Sequence, residues 1–224
     1  MSTPRAPAAV WIAILQKIMP VLTNSNMNDT ILFGSQAMSV YMKRALASKD
    51  IDLITPGMTE TTLEVICKVV TPISTQKPNY DHVVGDYCER RYPVSHIYLR
   101  HTSGFPFVIE FFENFLGYES TRLDPFLNLE QKWEMNFQVL LPAAIIGTRL
   151  AFRPPERISP FNALRLNRFI KNVKRVDWTT VNNFIDAFDL RSTVTQNLAA
   201  LKSKKISITG TTKNILQKSP TSEP

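Results

Sequence analysis

Two apolar runs too short to be helices, Ile31–Phe33 in "TILFGS" and Ile51–Ile54 in "DIDLIT", flank a segment long enough for one helix. Each run reads as a short buried strand. Between them, "QAMSVYMKRAL" repeats Ala37, Val40, Tyr41 and Leu46 at helical spacing, and Ser35 is placed to cap it. A strand, a helix and a second strand in so little chain commit the fold to a sheet with helices packed on it. Gly34-Ser35 ends the first strand, and Asp50 and Asp52 stand one residue apart in the second.

The flanking sequence extends this pattern. Trp11, Ile14, Leu15, Ile18 and Met19 predict a helix over residues 8–19, stopped near Pro20. "TETTLEVICKVVTPI" opens on a threonine cap with acidic residues in its first turn and ends before Pro72. Residues 74–92 read as a long polar loop. "VSHIYLRH" and "FPFVIEFFENF" read as an antiparallel hairpin turned by Thr102-Ser103-Gly104. The expected class is α+β, a small mixed sheet with packed helices followed by a helical subdomain.

Three helical segments are expected from Leu140 onward. One is "LPAAIIGTRLAF", a second has Ser159 as cap and Pro160 as its first residue, and a third has Asp177 as cap. The expected organisation is an α/β core over 1–138, a helical subdomain over 139–201 and a disordered basic tail over 202–224.

Charge is divided along the chain. Residues 1–152 carry 13 Lys/Arg against 14 Asp/Glu, and residues 153–224 carry 13 against 5. A basic rear half suits contact with a triphosphate or a nucleic acid, and a solvated basic surface accounts for it as well. The apolar stretches are too short to cross a bilayer. Two cysteines, Cys67 and Cys88, read as reduced thiols of a cytoplasmic protein. His82, His96 and His101 show no metal-ligand spacing with them, and His96 and His101 read as ordinary strand and loop residues.

Alternate residues of a strand share a face, so Asp50 and Asp52 project together while Ile51 and Leu53 enter the core. At about 6–7 Å the two carboxylates repel by roughly 2–3 kcal/mol. A divalent cation removes that repulsion, and magnesium suits one or two carboxylates completed by phosphate oxygens and water. The Gly34-Ser35 turn offers backbone N–H groups and a hydroxyl to an anion. Glu110 is an acid inside an apolar strand, costly to bury unpaired, and is the candidate third carboxylate with Glu113 as its rival. Three converging carboxylates suffice for two metal ions. Lys49 reads as a solvated lysine pointing away from the aspartates.

This layout of apolar strand, Gly-Ser, helix, Asp-x-Asp strand and a third acid on a later strand resembles the polymerase-beta-type nucleotidyltransferase superfamily. Within it the chain most resembles the small AbiEii-type nucleotidyltransferases, in which a helix with a basic residue follows the sheet; Arg149 in "LPAAIIGTRLAFRPP" is the match. It departs from that pattern in lacking the later Lys-Asp motif, where Asn162, Arg165 and Arg168 stand instead, and in the fourteen residues between Ser35 and Asp50.

The resemblance implies a magnesium-dependent enzyme that moves a nucleoside monophosphate from a nucleoside triphosphate to an acceptor hydroxyl, releasing pyrophosphate. Asp50, Asp52 and Glu110 would hold two Mg2+ ions and form the catalytic set. Gly34, Ser35 and Arg149 would hold the triphosphate. The acceptor is open among RNA, protein and a small molecule. A toxin–antitoxin-like partner is compatible with the layout, as is a non-catalytic module that binds nucleic acid or a protein.

Overall fold

A computed structural model describes residues 4–87, 90–151, 159–173 and 175–215. The chain divides into two compact units, Met1–Val40 with Arg44–Leu140, and Tyr41–Lys43 with Leu141–Pro224. No helix among the described residues is long and apolar enough to cross a membrane.

The first unit is built on one seven-stranded mixed sheet. Its strands are β1 (Ile31–Leu32), β2 (Asp50–Ile54), β3 (Asn79–Tyr87), β4 (Arg90–Arg100), β5 (Pro106–Phe112), β6 (Leu127–Lys132) and β7 (Met135–Leu140), in the spatial order β3-β4-β5-β2-β1-β7-β6. β2 runs parallel to β5 and β1 parallel to β7, while the remaining pairs are antiparallel. The α+β class is as expected, and the hairpin of β4 and β5 forms with Tyr98 opposite Val108.

The sheet is larger than the sequence pattern suggested. Residues 79–87 form β3 rather than a loop. β3 is an edge strand with Val83 and Val84 exposed, so it carries none of the alternation that marks a half-buried strand. β6 is the opposite edge, with Leu129 73% exposed. Its turn into β7 places Trp133 and Glu134 at φ 53° and 62°. Two left-handed residues are what a two-residue hairpin needs, and Asn-Gly normally supplies them. Here tertiary contacts hold them instead: Trp133 meets Trp11 edge-on at 4.9 Å, and Gln16 Nε2 donates to the Trp133 carbonyl.

Helix α1 (Ala8–Asn24) runs through Pro20 instead of stopping there. Ile18 and Leu22, both fully buried, hold the following turn against the roughly 3 kcal/mol that an interior proline costs. Helix α2 (Gly34–Val40) is shorter than expected and wholly buried. Ser39 Oγ donates back to the Ser35 carbonyl and accepts from the Leu46 N–H, which draws the chain out of the helix. Lys132 Nζ then donates to the carbonyls of Ser39 and Val40 at the helix end. Helix α3 (Glu60–Val70) begins at the expected cap, with Thr59 accepting from the Thr62 N–H.

The second unit is helical: α4 (Pro142–Ala151), α5 (Pro160–Asn172), α6 (Trp178–Ala187), α7 (Arg191–Ser203) and the short α8 (Thr211–Asn214). Ser159 and Asp177 cap α5 and α6 as their positions suggested. A Cβ on Gly147 would stand 2.6 Å from the Phe184 ring, so the glycine lets α4 and α6 approach closely. Part of the segment expected to be a tail is ordered. Ile208, Thr211 and Ile215 are buried, so the polar composition after residue 202 concealed three core positions. Residues 216–224 of that segment lie outside the described residues, as does Cys88. Cys67 is half-buried, and burial, with Glu64 beside it, raises its thiol pKa.

Replacing Lys132 with methionine keeps the apolar stem but leaves two carbonyls without their charged donor. Urea denaturation should show a loss of about 1–3 kcal/mol. An unchanged midpoint would mean that the lysine does not hold α2.

Candidate active site

The parallel pairing of β2 with β5 sets Asp52 opposite Glu110 and Asp50 opposite Val108. Asp50, Asp52 and Glu110 therefore project from one face. Each is half-buried and offers a carboxylate oxygen within 4.8 Å of the other two. Three like charges at that spacing are costly without a cation, and hard oxygen donors in this number fit magnesium or a similar ion. Glu113, the rival third acid, is elsewhere: its Oε1 accepts from the Gly57 N–H at 2.8 Å.

Each carboxylate has its own support. Asp50 accepts from Ser48 Oγ at 2.8 Å, and Ser48 Oγ is 2.8 Å from Ser35 Oγ. Because the Ser48 proton goes to Asp50, the proton between the two hydroxyls comes from Ser35. Gln36, fully buried, donates from Nε2 to the Asp50 carbonyl at 2.6 Å. The backbone of Ser48 is itself fixed by a reciprocal pair of hydrogen bonds with Ala6. The Ser35 hydroxyl is thus turned inward toward Ser48, and the residue lies inside α2 and does not cap it.

Gly34 sits at φ +62°, and a Cβ there would stand 1.7 Å from Asp52 Oδ2. No side chain can occupy that space. The glycine lets the start of α2 press against the Asp52 carboxylate, while the Phe33 N–H donates to the Asp52 carbonyl. Phe33 packs edge-on to Phe112 and Phe115, which fixes the turn from the core side.

Glu110 belongs to a row that crosses four adjacent strands: Asp81, His96, Glu110 and Asp52 face one another in register. His96 Nδ1 lies 3.0 Å from Asp81 Oδ1, and its Nε2 lies 3.6 Å from Glu110 Oε1. The Tyr98 hydroxyl donates to Asp81 as well. The contact with Glu110 raises the His96 pKa, burial opposes it, and Asp81 adds to the rise. Burial pushes Glu110 up, but His96, the hydrogen bond with Asp52 and the charge of Lys49 outweigh it and leave the carboxyl below its ordinary range. Lys49 is exposed, as expected, yet its charge reaches the site.

His96 was not legible as a site residue, since nothing in its spacing reveals which strand lies beside it. Its only signal is a histidine facing outward from the same hairpin that carries Glu110. Arg149, the basic residue expected at the triphosphate, lies in the second unit, as do Arg165 and Arg168. Arg149 is half-buried on α4, and the Arg165 guanidinium stacks 5.5 Å over the Phe161 ring on α5.

Two outcomes check this site. Gly34→Ala should weaken Mn2+ binding at least tenfold by calorimetric titration, because Asp52 must move and the backbone is strained by about 1–3 kcal/mol. In metal-free buffer, protonated His96 stabilises the fold fully below about pH 6.5, and the effect fades as pH rises through its elevated folded value. Ionised Glu110 contributes above about pH 4.5 and is lost as pH falls through its depressed folded value. The stability difference between wild type and His96→Asn in urea should be largest between about pH 4.5 and 6.5 and shrink as pH rises through the raised folded value of His96. A pH-independent difference would refute the pairing.

No family model matches the chain, and no curated protein matches it. Among solved structures, the chain is similar to the antibiotic-resistance factor ANT(2'')-Ia at 15% identity and a TM-score of 0.49, covering 88% of this chain and 97% of that one. It is similar to an antigenic nucleotidyltransferase-like protein from Paracoccidioides brasiliensis at 11% identity and a TM-score of 0.41, covering 93% and 98%. It is also similar to JHP933 from Helicobacter pylori at 10% identity and a TM-score of 0.37, covering 86% and 95%. Similarity this distant leaves the chemistry to be read from the chain's own side chains.

Proposed function

We propose that the chain is a magnesium-dependent nucleotidyltransferase that moves a nucleoside monophosphate from a nucleoside triphosphate to an acceptor hydroxyl, releasing pyrophosphate. One observation carries the reading: Asp50, Asp52 and Glu110 meet on one face, with Gly34 opening the backbone directly against Asp52. Sites for Mg2+ supported by carboxylates and substrate phosphates are characteristic of phosphoryl and nucleotidyl chemistry.

Asp50, Asp52 and Glu110 would hold the ions, and bound Mg2+ would neutralise the triphosphate and activate the acceptor oxygen. Ser48, backed by Ser35, aims one Asp50 oxygen, and His96 aims Glu110. The depressed pKa of Glu110 suits a permanently ionised ligand better than a proton acceptor near neutrality. The triphosphate would approach beside the Gly34 turn, whose missing Cβ lets the Asp52 carboxylate press against the start of α2.

Asp52→Asn should reduce transfer at least about a hundredfold, since the ions supply several kcal/mol of charge stabilisation. Without metal, the same variant should melt at or above the wild-type temperature, because like-charge repulsion is relieved. The assay supplies each labelled triphosphate with magnesium and a cell extract and follows label into acceptors. Wild-type transfer by a folded Asp52→Asn protein would sink the reading.

A further inference from the structure

We propose that the acceptor is a single-stranded polynucleotide end, and that its terminal phosphates bind a basic pocket beside the carboxylate triad. The inference rests on the nucleotidyltransferase reading and adds the acceptor's class to it. The pocket, about 290 Å³, lies at the lower end of ligand-site volumes. Lys49, Lys77 and Arg100 line it with Asn79, Tyr98 and Val108, and no acidic side chain is among the lining residues.

Strand register places this pocket against the site. Asp50, Val108, Tyr98 and Asn79 form the row next to Asp52, Glu110, His96 and Asp81. Rows two residues apart share a face and stand about 6–7 Å from each other, roughly the step from a terminal hydroxyl to the preceding phosphate. Lys49 adjoins Asp50 in the chain, and its charge already bears on Glu110.

The side chains also select the ligand. Lys49, Lys77 and Arg100 are all exposed, so their charges are available to an anion. Arg100 gives Nη1 to the Gly104 carbonyl, which leaves other guanidinium donors for phosphate. Three cations around so small a space repel a polycationic small-molecule acceptor and attract a phosphodiester. Tyr98, half-buried with its hydroxyl held by Asp81, presents an aromatic face against which a base can stack. A triphosphate carries the same chemistry as a polynucleotide end, so a test must separate the two.

The test compares wild type with the double variant Lys77→Ala/Arg100→Ala, neither residue being a triad member. The probe is a fluorescein-labelled single-stranded 12-nucleotide RNA with an unblocked 3′ hydroxyl, followed by anisotropy in EDTA over a salt series. Binding should weaken at least tenfold in the variant, and the slope of log affinity against log salt should fall by about 1.4, or about 0.7 per lost contact. The magnesium-dependent thermal shift with ATP should stay as in wild type.

Loss of the ATP shift with RNA binding intact would assign the pocket to the triphosphate and overturn the inference. Equal RNA binding by both proteins would overturn it too. Wild-type protein that binds the RNA through these residues but adds no nucleotide with any triphosphate would leave the pocket standing and sink the catalytic reading.

Discussion

Mutual repulsion among Asp50, Asp52 and Glu110 is the constraint around which the first unit is organised. Three carboxylates within 4.8 Å do not stay together by themselves. Each is held by a different device: a hydroxyl pair for Asp50, a side-chain-less backbone against Asp52, and an imidazole for Glu110. The devices come from α2, the segment before β2, and β4. Gln36 adds a bond from a fully buried amide to the backbone of Asp50. The unit thus orients Asp50 and Asp52 from the core side and Glu110 from a neighbour on its own face of the sheet.

The supports are themselves supported. α2 is only seven residues long, too short to persist on its own, and it is held by Lys132 from β6 at one end and by Phe33 at the other. Lys132 continues into the Trp133–Glu134 turn, which is fixed by α1 through Trp11 and Gln16. Elements at the far edge of the sheet therefore reach the carboxylates through few intermediates, and rigidity at the site derives from packing rather than from local helix propensity.

Much of this was legible in the chain. The two short apolar runs, the Gly-Ser turn and Asp-x-Asp identified a strand, a helix and a strand with acids on one face, and an acid inside "FVIEFFENF" had to be paired. What stayed hidden depends on which strands become neighbours. His96 and Asp81 matter because β3, β4 and β5 align them with Glu110, and no single strand carries that information. Edge strands β3 and β6 expose apolar residues on open surface, so their sequences lack alternation. The inward turn of Ser35 followed from Ser48, a residue in an unremarkable stretch before the aspartates. Ile208 and Ile215 were masked by polar neighbours in a segment that otherwise reads as a tail.

Strand β1 is two residues long and lies between β2 and β7, pairing Ile31 with Gln138. Its parallel partner comes from more than a hundred residues downstream, and such nonlocal pairings are slow to close. During synthesis the chain emerges from its N-terminus, so β2 is out of the ribosome well before β7 can flank β1. Through that interval the aspartates exist without the completed sheet that holds them. Completion of the sheet that holds the three acids is thus a late event in the life of the nascent polypeptide, deferred until β7 has been made.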